Sequence, residues 1–261
     1  MKDIKKIYVC GGSQCIGAGF IWEDVKKIYK EQHNIDINNH LDFAYPNILA
    51  KKLNVDIVNE GAPGGSITRM LRKTYDYLLE NYSTIKETLV ILEIPPGWRE
   101  ELNSIDLGRT INMTVGNILS PDDETDVACG NNKKDTHKIH KDATTYFNSF
   151  IDYYFERDKW MANLVGLISF LKLNDVEYII MDSGDLDYFL KRKKVNLNYN
   201  FVWFSDKFER PMGQWADEDG LLIKHETYGL SNDEHMGIKS NQMVADKLYK
   251  MITNENQSSV S

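Results

Sequence analysis

Residues 7–17 read IYVCGGSQCIG: a short run of β-branched and aromatic residues that passes directly into two glycines and a serine. The apolar part extends the strand-like stretch 4–10. Gly11 and Gly12 permit a tight turn at its end, and Ser13 follows at once. In a parallel α/β sheet the functional crevice lies outside the carboxyl ends of the strands, so a serine just past the first strand stands in that crevice by topology. The plain alternative is a strand-to-helix turn whose serine caps a helix.

Outward from this segment, further strand-like runs occur at 56–59, 88–94 and 177–181, separated by longer stretches of helical period. Residues 41–53 place Leu41, Ala44, Tyr45, Ile48, Leu49 and Leu53 near one helical stripe, and residues 67–79 do so with Met70, Leu71, Tyr75 and Leu78. Pro46 falls in the opening turn of the first helix, where a missing N–H is tolerated, and Ser66 supplies an N-cap oxygen for the second. Helical period returns over 144–173, and a last helix over 240–252 carries Val244, Leu248 and Ile252. Alternating strands and crossover helices predict a parallel sheet covered on both faces, a three-layer α/β/α sandwich of the flavodoxin-like, doubly wound kind.

The chain has 261 residues, 42% of them hydrophobic, enough for one large core. We expect a single domain over 1–253, interrupted at about 103–142 by a polar insertion rich in Asp, Lys and Asn, and followed by a polar tail at 254–261. A net charge of −8 leaves no basic field for nucleic acid or an anionic membrane surface. The N-terminus lacks the apolar core of a signal peptide, and no stretch reaches the length of a membrane span. Cys10, Cys15 and Cys129, odd in number and irregular in spacing, suggest a reducing compartment rather than a disulfide framework.

Two further segments bear on chemistry. NEGAPGGS, residues 59–66, follows the second strand with glycines that let backbone amides approach a ligand closely, as an oxyanion hole requires. SNDEHMGIKSNQMVADKL, residues 231–248, sets Asp233 and His235 just before the last helix, and a histidine that deprotonates a serine needs a carboxylate neighbour. Phosphate-binding readings fail on inspection. Gly12 and Gly17 have Walker spacing, but Ala18 stands where the lysine belongs, and a dinucleotide fingerprint meets Trp22 in place of its third glycine.

Together these segments resemble the SGNH hydrolases, the GDSL-like esterases and lipases. Gly11-Gly12-Ser13 matches the first block of that family, Asn59, Gly61 and Gly64 the second, and Asp233 with His235 the last. LDFAYPNILAKKLNVDIVNEG, residues 41–61, is similar to the helix and strand between the first two blocks. The resemblance implies an acyl-ester hydrolase, acting on O-acetyl groups of carbohydrate, with no cofactor. Ser13 would be the nucleophile and first oxyanion donor, Gly64 the second donor, His235 the base and Asp233 its partner.

Three positions depart from the family. Gly12 replaces its Asp, Asn232 stands at the Asp-x-x-His position with the carboxylate one residue later, and the third block, LEIPPGWRE at 92–100, lacks the Asn that supplies a third donor. Arg99 either takes that donor role or pairs with a neighbour such as Glu100 or Glu101. Alternatives on the same fold are an O-acyltransferase and a non-catalytic structural or binding protein. The expected location is cytoplasmic or virion-associated.

Competing sites are weaker. His137 and His140 in DTHKIHKD lack an obvious third metal ligand, so no metal is expected. Nothing around Cys15 predicts the lowered pKa of a thiol nucleophile. The aromatic residues over 146–160 read as helix core rather than a sugar platform.

Overall fold

A computed structural model describes residues 3–95, 99–104, 109–113, 153–182, 201–202 and 235–253. In chain order it contains β1 (Lys6–Cys10), α1 (Glu23–His33), α2 (Tyr45–Leu53), β2 (Asp56–Asn59), α3 (Ile67–Glu80), β3 (Thr88–Ile94), β4 (Glu100–Ser104), β5 (Arg109–Met113), α4 (Tyr153–Leu173), β6 (Glu177–Asp182), β7 (Phe201–Val202) and α5 (Ile238–Thr253).

Five strands form a sheet in the order β2-β1-β3-β6-β7, with every pairing parallel. The register sets Ile7 opposite Ile57 and Leu89, and Cys10 opposite Leu92. This is a flavodoxin-like order: the chain moves outward from β1 to β2, then reverses across β1 to β3, and the crevice of such a sheet opens at that reversal.

The alternation of side chains along each strand divides the core into two layers. Tyr8, Cys10, Val90, Leu92, Tyr178 and Ile180 pack against α3 and α4 through residues such as Met70, Leu78, Trp160 and Leu164. Ile7, Val9, Leu89, Ile91, Ile179 and Met181 pack against α2 and α5 through Leu49, Val244 and Leu248. The expected α/β/α sandwich is therefore present.

Local signals also hold. Pro46 lies in the first turn of α2, and Ser66 Oγ accepts from the Arg69 N–H at 3.1 Å to cap α3. Among the described residues no helix is long and apolar enough to cross a membrane.

Four elements differ from the sequence expectation: strands β4, β5 and β7 and helix α1. Residues 109–113, inside the stretch expected to lack pattern, form β5, which pairs antiparallel with β4. Five residues in polar surroundings are too few for a readable period. Helix α1 is also additional; it folds over a small apolar cluster of Phe20, Val25 and Ile37, with Tyr29 and Phe43 against it. The rest of the 103–142 stretch and the tail lie outside the described residues.

Candidate functional site

Gly11 continues β1 past its last paired residue and lies against β3 so closely that a Cβ on it would stand 2.5 Å from Glu93 Cβ and 2.6 Å from the Glu93 carbonyl oxygen. Only glycine fits there. Gly12 turns the chain, and Ser13 enters a short 3-10 turn, Gln14–Ile16, with helical φ and ψ of −67° and −26°. Ser13 makes no side-chain capping hydrogen bond; its carbonyl accepts from the Ala18 N–H at 3.0 Å. The hydroxyl is thus not committed to the capping role that was the plain alternative, and the residue is partly exposed.

The loop after β2 is fastened to this turn. The Glu60 N–H donates to the Val9 carbonyl at 2.8 Å and the Ala62 N–H to the Gly11 carbonyl at 3.3 Å. Asn59 joins both loops: its amide donates to the Cys15 carbonyl at 2.8 Å and to Asn47 Oδ1 at 3.1 Å, while its Oδ1 accepts from the Gly61 N–H at 3.0 Å. Gly64 has φ +63°, a left-handed conformation that favours glycine. The next residue, Gly65, approaches the Gly11 carbonyl to within 2.9 Å of where its Cβ would be.

The end of β3 contributes a group the sequence reading passed over. Glu93 is 1% exposed. Its Oε2 accepts from the Cys15 thiol at 2.9 Å and from the Tyr45 hydroxyl at 3.1 Å, and its carboxylate also accepts from the Gly12 N–H. Burial pushes the Glu93 carboxyl above the usual carboxylate range; these donors and the charge of Arg99 oppose that shift. A methyl group placed on Gly12 would stand 3.3 Å from Glu93 Oε1 and 3.6 Å from Arg99 Nη1. Arg99 therefore lies over the Gly12 turn. Glu101, one of its expected surface partners, is held instead by Arg72 at 2.7 and 2.9 Å.

The turn before α5 reaches the same place. The Met236 N–H donates to Gln14 Oε1 at 3.1 Å, so the neighbour of His235 is bonded to the neighbour of Ser13. Asn241, 1% exposed, fixes that turn: its amide donates to the Met236 and Gly237 carbonyls, both at 3.0 Å, and its Oδ1 accepts from the Tyr45 N–H at 2.9 Å. His235 itself is partly exposed.

Ser13, Gly64, Arg99 and His235 all follow strands or precede α5 at one end of the sheet. Asp233, Asn232, Gly97, Trp98, His137 and His140 lie outside the described residues. Cys15 is fully buried, and desolvation with the nearby Glu93 carboxylate pushes its thiol well up, which opposes thiolate chemistry.

Glu93, Tyr45, Gln14 and Asn241 escaped the sequence reading. Glu93 left one signal, an acid inside the otherwise apolar run TLVILEI, where a charge needs specific partners.

No protein-family model matches the chain, and no curated protein matches it. Among solved structures it is similar to a protein assigned to the G-D-S-L lipolytic family from Desulfitobacterium hafniense, at 10% identity and TM-score 0.45 over 94% of this chain and 98% of that one. It is similar to an acetyl xylan esterase from Butyrivibrio proteoclasticus at 13% identity and TM-score 0.45, covering 97% of this chain and 64% of that one. A psychrotrophic esterase from Pseudoalteromonas sp. shows 12% identity and TM-score 0.45 over 97% of this chain and 100% of that one. The sheet order, parallel throughout, with the Gly-Gly-Ser, Asn-x-Gly and His turns gathered at one end, is that of a flavodoxin-like α/β/α sandwich.

Proposed function

We propose that this chain is a serine esterase. Ser13 Oγ attacks the acyl carbonyl while His235 takes the hydroxyl proton, and Asp233 supports the resulting imidazolium. The alcohol leaves with the proton from His235, and water, deprotonated by the same imidazole, releases the acid from the acyl-enzyme. The Ser13 and Gly64 amides, with Arg99, stabilise the oxyanion. The substrate class implied by the resemblance is an O-acetyl ester of carbohydrate.

The observation that carries this reading is the hydrogen bond from Met236 to Gln14. It joins the turn bearing a serine hydroxyl free of capping to the turn bearing a histidine, and these are the two groups that must cooperate. The test is covalent labelling by a fluorophosphonate probe, with p-nitrophenyl acetate turnover measured in parallel. Wild type should label and turn over, while Ser13→Ala should do neither and should melt at nearly the same temperature. An unlabelled wild type, or a labelled Ser13→Ala, overturns the proposal.

A further inference from the structure

The carboxylate of Glu93 lies against the place that a side chain at position 12 would take, 3.3 Å from its Cβ. β3 is buried along its whole length, and an acid there loses its hydration; such a group persists where hydrogen bonds and charge replace water. Glu93 has those replacements, and all of them come from the crevice end of the fold. They are the Gly12 amide in the nucleophile turn, the Cys15 thiol one turn later, the Tyr45 hydroxyl at the start of α2, and the charge of Arg99 beyond β3.

The two glycines are the counterpart of this arrangement. Gly11 leaves room for the Glu93 stem and Gly12 for its carboxylate, at 2.5 and 3.3 Å from the respective Cβ positions. Gly12 does not have positive φ, so its backbone accepts an L side chain. A Cβ at position 12 would press on Glu93 Oε1 at 3.3 Å, with Arg99 Nη1 at 3.6 Å and Pro95 Cβ at 3.7 Å beside it, so a longer side chain there meets the Glu93 carboxylate first. The family resemblance places Asp at 12; here a carboxylate reaches the same turn from the adjacent strand.

We propose that Glu93 is a positioning residue, which pins the Gly12 peptide and thereby aims the Ser13 amide and hydroxyl into the crevice, in place of a side chain at position 12. This rests on the serine-esterase reading for its kinetic consequences. Its structural core, the hold of Glu93 on the Gly11–Ser13 turn, stands apart from that reading.

The experiment is a double-mutant cycle between positions 12 and 93. Wild type, Glu93→Leu, Glu93→Gln, Gly12→Asp and the double variant Gly12→Asp/Glu93→Leu are compared for fluorophosphonate labelling rate and for kcat and KM on p-nitrophenyl acetate. Hydrogen exchange of the 11–17 segment is followed in each. Glu93→Leu should lower kcat by roughly tenfold or more with KM little changed, as expected for a lost alignment rather than lost binding.

Gln keeps an acceptor for the Gly12 amide without the charge, so Glu93→Gln should fall between wild type and Glu93→Leu. Gly12→Asp alone should be impaired, because two carboxylates then contend for one space. Adding Glu93→Leu should restore part of its kcat, a sign-reversing coupling that mere filling of volume does not produce. Exchange over 11–17 should quicken in Glu93→Leu and slow again in the double variant.

Wild-type rates in Glu93→Leu, or additive effects at 12 and 93, overturn the proposal. If Glu93→Leu does not fold, the comparison of Gly12→Asp with Gly12→Asp/Glu93→Ala, which frees the same space, decides it by the same criterion. A wild type that fails to label defeats the esterase reading alone; unchanged exchange over 11–17 in Glu93→Leu, or in Glu93→Ala where the Leu variant does not fold, then defeats the hold of Glu93.

Discussion

Gln14 Oε1 accepts the backbone N–H of Met236 at 3.1 Å, from a residue 222 positions away in the chain. Their neighbours are Ser13 and His235, so this contact ties the turn that bears the serine to the turn that bears the histidine.

Gln14→Ala removes the acceptor and leaves a partly buried N–H without it. A neutral hydrogen bond of this kind contributes about 1 kcal/mol, which corresponds to a melting shift of roughly 2–4 °C for a chain of this size. We expect labelling of Ser13 to slow by roughly fivefold as well, and Gln14→Glu, which keeps the acceptor, to recover most of it. A lowered Tm with an unchanged labelling rate would show that the contact is structural only.

How far the site was legible follows from where each partner comes from. β1, β3 and the Ser66 cap were readable because their causes are local: an apolar run, or an oxygen three residues from the N–H it accepts. The Gly-Gly-Ser turn was readable as a turn, but not the reason for its glycines, since the atoms nearest to a Cβ on Gly11 or Gly12 belong to Glu93, some 80 residues on. Asn241 likewise looks like an ordinary polar helix residue until the fold sets it against Tyr45. Helix α1 was missed because EDVKKIYKEQH is polar almost throughout and is held by aromatic residues outside it, Phe20 and Phe43.

Asp233 and Asn232 compete as partner of His235, one by chemistry and the other by the family spacing. Only the carboxylate can carry the charge that stabilises an imidazolium. Asp233→Asn should lower turnover by about a hundredfold or more, while Asn232→Ala should change it little. Equal losses, or a larger one at Asn232, reverse the assignment.

Arg99 stands beside Gly12 and acts on Glu93, next to the residue whose amide and hydroxyl face the substrate in our reading. As an oxyanion donor it acts in the transition state, so Arg99→Ala should lower kcat and kcat/KM together by roughly a hundredfold. Arg99→Lys keeps the charge but not the planar fork, and should recover only part. If Arg99 serves only to balance Glu93, then Arg99→Ala combined with Glu93→Gln will be more active than Arg99→Ala alone. Near wild-type turnover in Arg99→Ala sinks the donor role.

The buried carboxyl also makes stability depend on pH, with a sign that can be worked out. In the unfolded chain Glu93 titrates near its ordinary value of 4.5, and in the native state burial raises it. Between those two values the native protein keeps a proton that the unfolded chain has released, so the native state binds more protons and stability falls as pH rises. The contribution is complete below the unfolded value and is lost as pH climbs through the folded one. The groups that face Glu93 do not share this titration: burial and the Glu93 charge push the Cys15 thiol and the Tyr45 hydroxyl well up, so both stay neutral, and Arg99 stays charged. Replacement by Gln removes the proton exchange and keeps the shape. Melting temperatures of wild type and Glu93→Gln, measured from about pH 4 to about pH 8, should therefore differ most in favour of wild type at the acid end, with the advantage shrinking toward neutrality. A difference that stays flat across that range would mean that Glu93 titrates alike in both states, and that its burial is relieved more completely than its four partners imply.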